Sequence, residues 1–149
     1  MLDVRNLSVW YGATEVLRDV SFQVPDGTVV ALLGGNGSGK TTTLNALSGL
    51  LLPRSGTVLF EGQEIQGLPT YRSVTLGLVQ VPQGRDVWGG MTVRDNLDLG
   101  AITRREREAI ARDRDEVFAL FPVLRERQQR KAGTLSRGGQ QVLASGAPP

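Results

Sequence analysis

Residues 34–41 of this 149-residue chain read Gly34-Gly35-Asn36-Gly37-Ser38-Gly39-Lys40-Thr41, and no other stretch limits the possible folds so tightly. They match the pattern G-x-x-x-x-G-K-[ST] in full. A loop so rich in glycine can turn its backbone N–H groups inward around an anion. It needs a strand before it and a helix after it, because the helix N-terminus adds its dipole to the anion site. Residues 28–33 predict a buried strand. Residues 42–50 predict a helix with Leu44, Leu47 and Leu50 as its apolar positions. In that setting Lys40 reaches the terminal phosphates of a nucleotide and the Thr41 hydroxyl ligates Mg²⁺. The contacts to phosphate fall to Gly34, Asn36, Gly37, Ser38, Gly39, Lys40, Thr41 and Thr42. A glycine-rich turn without a ligand is the alternative, and the flanking strand and helix weigh against it.

The rest of the chain supplies the frame. Strand-like composition covers residues 2–10 and 22–24, with turns near Gly12 and at Pro25-Asp26-Gly27. Pro53-Arg54-Ser55-Gly56 predicts a turn, residues 57–60 a strand, and residues 61–65 a tight hairpin. Residues 78–81 predict a further short strand, ended by Pro82. Then the pattern turns helical. Thr92-Val93-Arg94-Asp95 and Thr103-Arg104-Arg105-Glu106 both read as capping boxes. The second predicts a helix to about Leu120, with Ile110, Val117, Phe118 and Phe121 on one face. Its opposite face is dense in Arg, Glu and Asp, which is most simply a solvated surface. Pro148 and Pro149 cannot continue a helix. This order predicts an α/β nucleotide-binding core with an antiparallel β lobe and a helical lobe.

Bulk properties narrow the function classes. A net charge of +2 is too small a bias to argue for nucleic acid, and none is expected as a partner. The chain has no cysteine, so it has neither a disulfide framework nor a thiolate metal site. No run approaches the roughly 18 apolar residues of a membrane span. No apolar signal segment stands at the N-terminus. These features predict a cytoplasmic protein.

Four pieces of the sequence together resemble the ATP-binding subunits of ABC transporters, and most of all the branched-chain amino-acid importer type. They are Tyr11 in Val9-Trp10-Tyr11-Gly12; the loop with Thr42-Thr43-Leu44; Gln83 in Val81-Pro82-Gln83-Gly84-Arg85; and Leu135-Ser136-Arg137-Gly138-Gly139-Gln140-Gln141. The resemblance reaches to about Ala144. It implies a P-loop NTPase (RecA-like) core, incomplete in this chain, with an antiparallel β lobe and a helical signature lobe. It implies a β lobe and core over about 1–90, a helical lobe over about 91–144, and an aberrant tail at 145–149.

The resemblance also assigns roles. Tyr11 stacks on adenine, where a flat π face gives affinity for any purine. Gln83 joins Thr41 in holding Mg²⁺ or places the attacking water. Residues from Gly84 to Asn96-Leu97 resemble the importer subgroup, many of whose members carry Glu where Gln83 stands. Ser136, Arg137, Gly138, Gly139 and Gln140 match the signature Leu-Ser-Gly-Gly-Gln, which opens a helix and binds ATP held by a second ATPase subunit. Arg137 departs from it: without a gap it replaces the first glycine, and with a one-residue insertion Gly138-Gly139-Gln140 restores the pattern. The implied partners are that second subunit, in a head-to-tail dimer, and transmembrane permease subunits. The implied ligands are ATP and Mg²⁺, and the implied place is the inner face of the cell membrane.

Family members carry an apolar strand ending in Asp-Glu, whose Glu polarises the attacking water, and then a histidine. Asp86, Asp95, Asp98, Asp113 and Asp115 all sit in polar surroundings, and the chain has no histidine. The expectation is a C-terminally truncated, marginally folded ATP-binding subunit that lacks a general base and hydrolyses no ATP by itself. A nucleotide-binding module that does not hydrolyse is the second reading. A soluble ABC-type ATPase of DNA repair or translation, or a small-molecule P-loop kinase, fits the spacing less well.

Overall fold

A computed structural model describes residues 1–81, 84 and 87–146. The chain divides into two compact units, Met1–Gln80 and Val81–Pro149.

The first unit is built on an antiparallel sheet. Strands β1 (Leu2–Tyr11) and β2 (Thr14–Val24) form a long hairpin. Strand β3 (Ser55–Phe60) lies on the other side of β1, and β4 (Gln63–Glu64) follows it through a tight turn, in the order β2-β1-β3-β4. The register of β1 against β2 shifts between Val4 and Leu7, where Asn6 takes a left-handed φ of 49° and its amide donates to Ser21 Oγ at 2.8 Å. A bulge of this kind changes which side chains face inward. The inward residues therefore run Val4, Leu7, Val9, not in strict alternation. They meet Leu17, Val58 and Ile65 from the sheet region and Ala46 and Leu47 from helix α1 (Lys40–Leu47). A short helix α2 (Thr70–Thr75) completes this unit.

Three expectations for this unit are corrected. Residues 28–33 form no strand; Val29 is 99% exposed and Leu33 87% exposed. Residues 78–81 form no strand either, and Val79 and Val81 are exposed. The physical reason is the same for both: a strand needs a neighbour to take its ladder groups, and among the described residues none runs beside either segment. The third concerns α1, which ends at Leu47 where residues to 50 were expected. Gly49 takes φ 78° and its amide returns to the Ala46 carbonyl, a left-handed helix stop. Leu44 and Leu50 are exposed, so Leu47 alone of the three expected leucines is buried.

The second unit is helical, with α3 (Val93–Gly100), α4 (Arg107–Leu120), α5 (Pro122–Glu126), a 3₁₀ turn at Ala132–Thr134 and α6 (Arg137–Ser145). Val93, Leu97, Phe118, Leu124, Ala132, Leu135 and Leu143 form its core. The Thr92–Asp95 capping box is present in both directions: the Asp95 amide donates to Thr92 Oγ1 at 3.0 Å and the Thr92 amide to Asp95 Oδ2 at 3.1 Å. The second expected box is absent. Residues 101–104 are taken up by turns off the end of α3, with the Arg104 amide donating to the Ala101 carbonyl, so α4 starts at Arg107 without a side-chain cap. Buried Asn96 fastens residue 88 to α3: its Oδ1 accepts from the Trp88 amide at 2.8 Å, and its Nδ2 donates to the Trp88 and Thr92 carbonyls.

Candidate functional site

The loop predicted to hold phosphate runs directly into α1, and the join is made by Gly39. This residue caps the helix with φ 89°, a left-handed conformation that an L side chain rarely takes. Its carbonyl oxygen accepts twice from Thr43, from the amide at 2.8 Å and from the hydroxyl at 3.0 Å. Thr43 is therefore the first residue whose amide is spent inside the helix. Among the described residues, the amides of Gly39, Lys40, Thr41 and Thr42 have no acceptor. A helix start always leaves such donors free. Here they are consecutive, follow a glycine loop, and have no acidic residue in the first turn to occupy them.

Lys40 folds back over the same loop. Its Nζ donates to the Gly35 carbonyl at 2.7 Å, to the Gly34 carbonyl at 2.8 Å and to Ser38 Oγ at 3.3 Å. The Ser38 amide donates to the Gly35 carbonyl at 3.3 Å, which tightens the turn around Asn36 and Gly37. Thr41 is exposed, while Thr42 and Thr43 are buried. Residues 34–42 thus bring together the four consecutive free amides of 39–42, the Lys40 ammonium and the hydroxyls of two exposed residues, Ser38 and Thr41. These groups fit a polyphosphate, whose oxygens accept from all three donor types. The site also includes a residue that sequence reasoning missed. Leu17 of β2 packs against Gly39 so closely that a Cβ there would lie 2.5 Å from its Cδ2.

Tyr11 ends β1, paired with Thr14 across the hairpin turn, and is 50% exposed. Its ring is available to a flat ligand. Gln83 lies outside the described residues.

The predicted signature residues lie in the second unit. Ser136 is the N-cap of α6, and its Oγ accepts from the Gly139 amide at 3.1 Å. Arg137 is the first helical residue and is exposed. A side chain at Gly138 would meet nothing within 4 Å, so that face of the helix start is open. The Gln140 side chain turns back, its Nε2 donating to the Gly133 and Leu135 carbonyls at 3.5 and 3.4 Å. The structure thus gathers residues 34–42 with Leu17 in one unit and residues 136–140 in the other.

Comparison with known proteins gives this geometry a family. The profile of the family described as ABC transporter matches residues 17–145. The high-affinity branched-chain amino acid transport ATP-binding protein BraG of Pseudomonas aeruginosa is 40% identical over 146 residues, covering 98% of this chain and 62% of its own length. The probable branched-chain amino acid transport ATP-binding protein LivF of Archaeoglobus fulgidus is 39% identical over 145 residues, covering 97% and 61%. A solved ATP-binding subunit of an ABC transporter superposes with a TM-score of 0.85 at 29% identity, covering 99% of this chain and 61% of that one. The chain therefore spans about three fifths of the length of these relatives.

Proposed function

The chain belongs to the ABC transporter family, and from that premise we propose that it is the nucleotide-binding portion of an ATPase subunit that drives import of a small solute. One observation carries the proposal: the free amides of residues 39–42 beside the Lys40 ammonium at the start of α1. Residues 1–144 form the N-terminal part of an ATP-binding domain, with the β lobe and core over about 1–90 and the helical lobe over about 91–144. Branched-chain amino acids or related compounds are the proposed solutes, because BraG is a branched-chain amino acid transport ATP-binding protein by name and LivF a probable one.

The residues divide the work as follows. The amides of Gly39, Lys40, Thr41 and Thr42 receive the ATP phosphates, and Lys40 exchanges its loop carbonyls for phosphate oxygens. Tyr11 offers its ring to the adenine. The Thr41 hydroxyl and the Gln83 amide oxygen would hold Mg²⁺, which would supply positive charge to neutralise the polyphosphate. Ser136, Arg137, Gly138, Gly139 and Gln140 face ATP bound by a second ATPase subunit in a head-to-tail pair, and permease subunits in the cell membrane are the further partners. In a subunit that also carries a general base, these donors would stabilise the charge developing on the γ-phosphate, which is the main source of catalysis in phosphoryl transfer.

These 149 residues bind ATP without turning it over. Among the aspartates in the sequence, none follows an apolar run, so nothing in it matches the family's general base. Titrating Mg·ATP into the purified 149-residue protein by calorimetry, with phosphate release followed in parallel, tests both halves. Saturable binding without phosphate release is expected. No binding would overturn the nucleotide site; sustained release would overturn the missing base. Uptake of labelled leucine, compared with labelled sulfate, in cells with and without the gene tests the solute.

A further inference from the structure

Leu17 has no place in the family motifs, yet its side chain packs against Gly39 at the end of the phosphate loop. It stands on β2, 5% exposed, in one apolar cluster with Val9, Ala46 and Leu47. Its Cδ2 fills the space where a side chain at Gly39 would begin, 2.5 Å from that position, and the Val16 carbonyl oxygen lies 3.6 Å from it. The Gly39 peptide is thus held on two sides. Thr43 grips its carbonyl from within α1, and the Leu17 methyl group lies against its α-carbon.

The direction of the free amides that follow depends on this peptide, because each peptide plane is set by the φ and ψ of the residue before it. Leu17 also belongs to the hairpin that carries Tyr11: it is registered opposite Val9, and Tyr11 lies two residues further along β1. We propose that Leu17 is a positioning residue for nucleotide binding. It fixes the direction of the amides at 40–42 by holding Gly39, and it ties the phosphate loop to the hairpin that bears the adenine contact. The inference rests on the reading of residues 34–42 as a phosphate site.

The consequence separates binding from stability. Leu17→Ala removes the methyl groups that hold Gly39, so the amides lose a fixed direction and phosphate affinity falls. Val58→Ala is the control, because Val58 is fully buried in the same cluster but sits on β3, registered against Val4. Inorganic tripolyphosphate is the probe, since it reads the loop without the base. Calorimetric affinity and melting temperature are measured for the wild type, Leu17→Ala, Leu17→Met and Val58→Ala.

Leu17→Ala is expected to weaken tripolyphosphate about tenfold or more, the scale of losing one well-aimed charge-assisted hydrogen bond. Val58→Ala is expected to lower the melting temperature with affinity close to the wild type, and Leu17→Met to restore affinity. If Leu17→Ala does not fold, Leu17→Val takes its place in the same comparison. Equal loss of affinity in the Leu17 and Val58 variants at equal loss of melting temperature would overturn the positioning role alone, as would unchanged affinity in Leu17→Ala. A wild type that binds neither tripolyphosphate nor ATP would overturn the phosphate site itself, and the positioning role with it.

Discussion

The ammonium of Lys40 donates to the carbonyl oxygen of Gly35 across 2.7 Å, with Gly34 and Ser38 taking its other two protons. All three donors of the side chain are therefore spent on the loop that the residue terminates. A phosphate entering the loop competes with these carbonyls for one cation. It wins by carrying full negative charge, where a carbonyl carries only a dipole.

Lys40→Ala should weaken ATP by roughly ten- to a hundredfold, the range for hydrogen bonds to charged groups. The bonds it loses lie on an exposed loop, so the melting temperature should stay close to the wild type. Lys40→Arg should not rescue binding, because a planar guanidinium does not replace a compact ammonium among three acceptors. Calorimetric titration with ATP checks each variant. Wild-type affinity in Lys40→Ala would show that the side chain only ties the loop to itself.

Gly39→Ala tests the join between loop and helix. The residue combines φ 89° with a neighbour 2.5 Å from any Cβ. The backbone conformation alone costs a non-glycine residue about 1–3 kcal/mol, and the Leu17 contact adds to it. The midpoint of urea unfolding should fall accordingly. The double variant Gly39→Ala/Leu17→Ala should lose less than the sum of the two single losses, because the second change removes the clash created by the first. Strict additivity would mean that Leu17 yields without cost.

What was legible in the sequence follows the range of the interactions. The loop and the start of α1 were legible because glycine spacing and helix dipole act within a few residues. The Thr92–Asp95 box was legible for the same reason: both bonds close over three residues. The strand expected at residues 28–33 failed because its ladder partners must come from elsewhere in a chain, and apolar composition does not say whether a partner is present. The second capping box failed because α3 runs on into turns through Arg104, and its pattern of residue types carries no sign of that. Leu17 was missed because the bulges in the β1–β2 hairpin change which residues face inward. Its only signal was its place in the apolar set Val9, Leu17, Leu47, which looks the same as ordinary core.

The two candidate boxes make a matched pair. Thr92→Ala should destabilise the second unit by about 1 kcal/mol, the usual cost of losing an N-cap side chain. Thr103→Ala should change stability within about 0.5 kcal/mol, as a surface substitution away from any cap. Hydrogen bonds from the Thr92 side chain and then its amide hold the Asp95 carboxyl below the ordinary aspartate value of 3.8. A carboxylate with a lowered folded-state pKa contributes its stability above the unfolded value and loses it as pH falls through the folded one. The gap between wild type and Thr92→Ala should therefore be full at pH 7 and shrink below pH 3.8. Thermal melts at several pH values measure it, and a gap that stays constant into acid would remove the Asp95 half of the box from the account.

Tyr11 separates recognition of the base from recognition of the phosphates. Its ring is half exposed at the end of β1, so its packing contributes little to the fold and its substitution should leave the melting temperature nearly unchanged. Tyr11→Ala should weaken ATP about two- to tenfold, the range of one aromatic stacking contact. Tripolyphosphate should bind this variant as it binds the wild type, since it has no ring to stack. Tyr11→Phe should retain ATP affinity, because stacking uses the π face and not the hydroxyl. GTP should lose affinity in parallel with ATP, for a flat face discriminates poorly between purines. A loss confined to ATP would instead point to a directional hydrogen bond from the tyrosine hydroxyl, and Tyr11→Phe would then fail together with Tyr11→Ala.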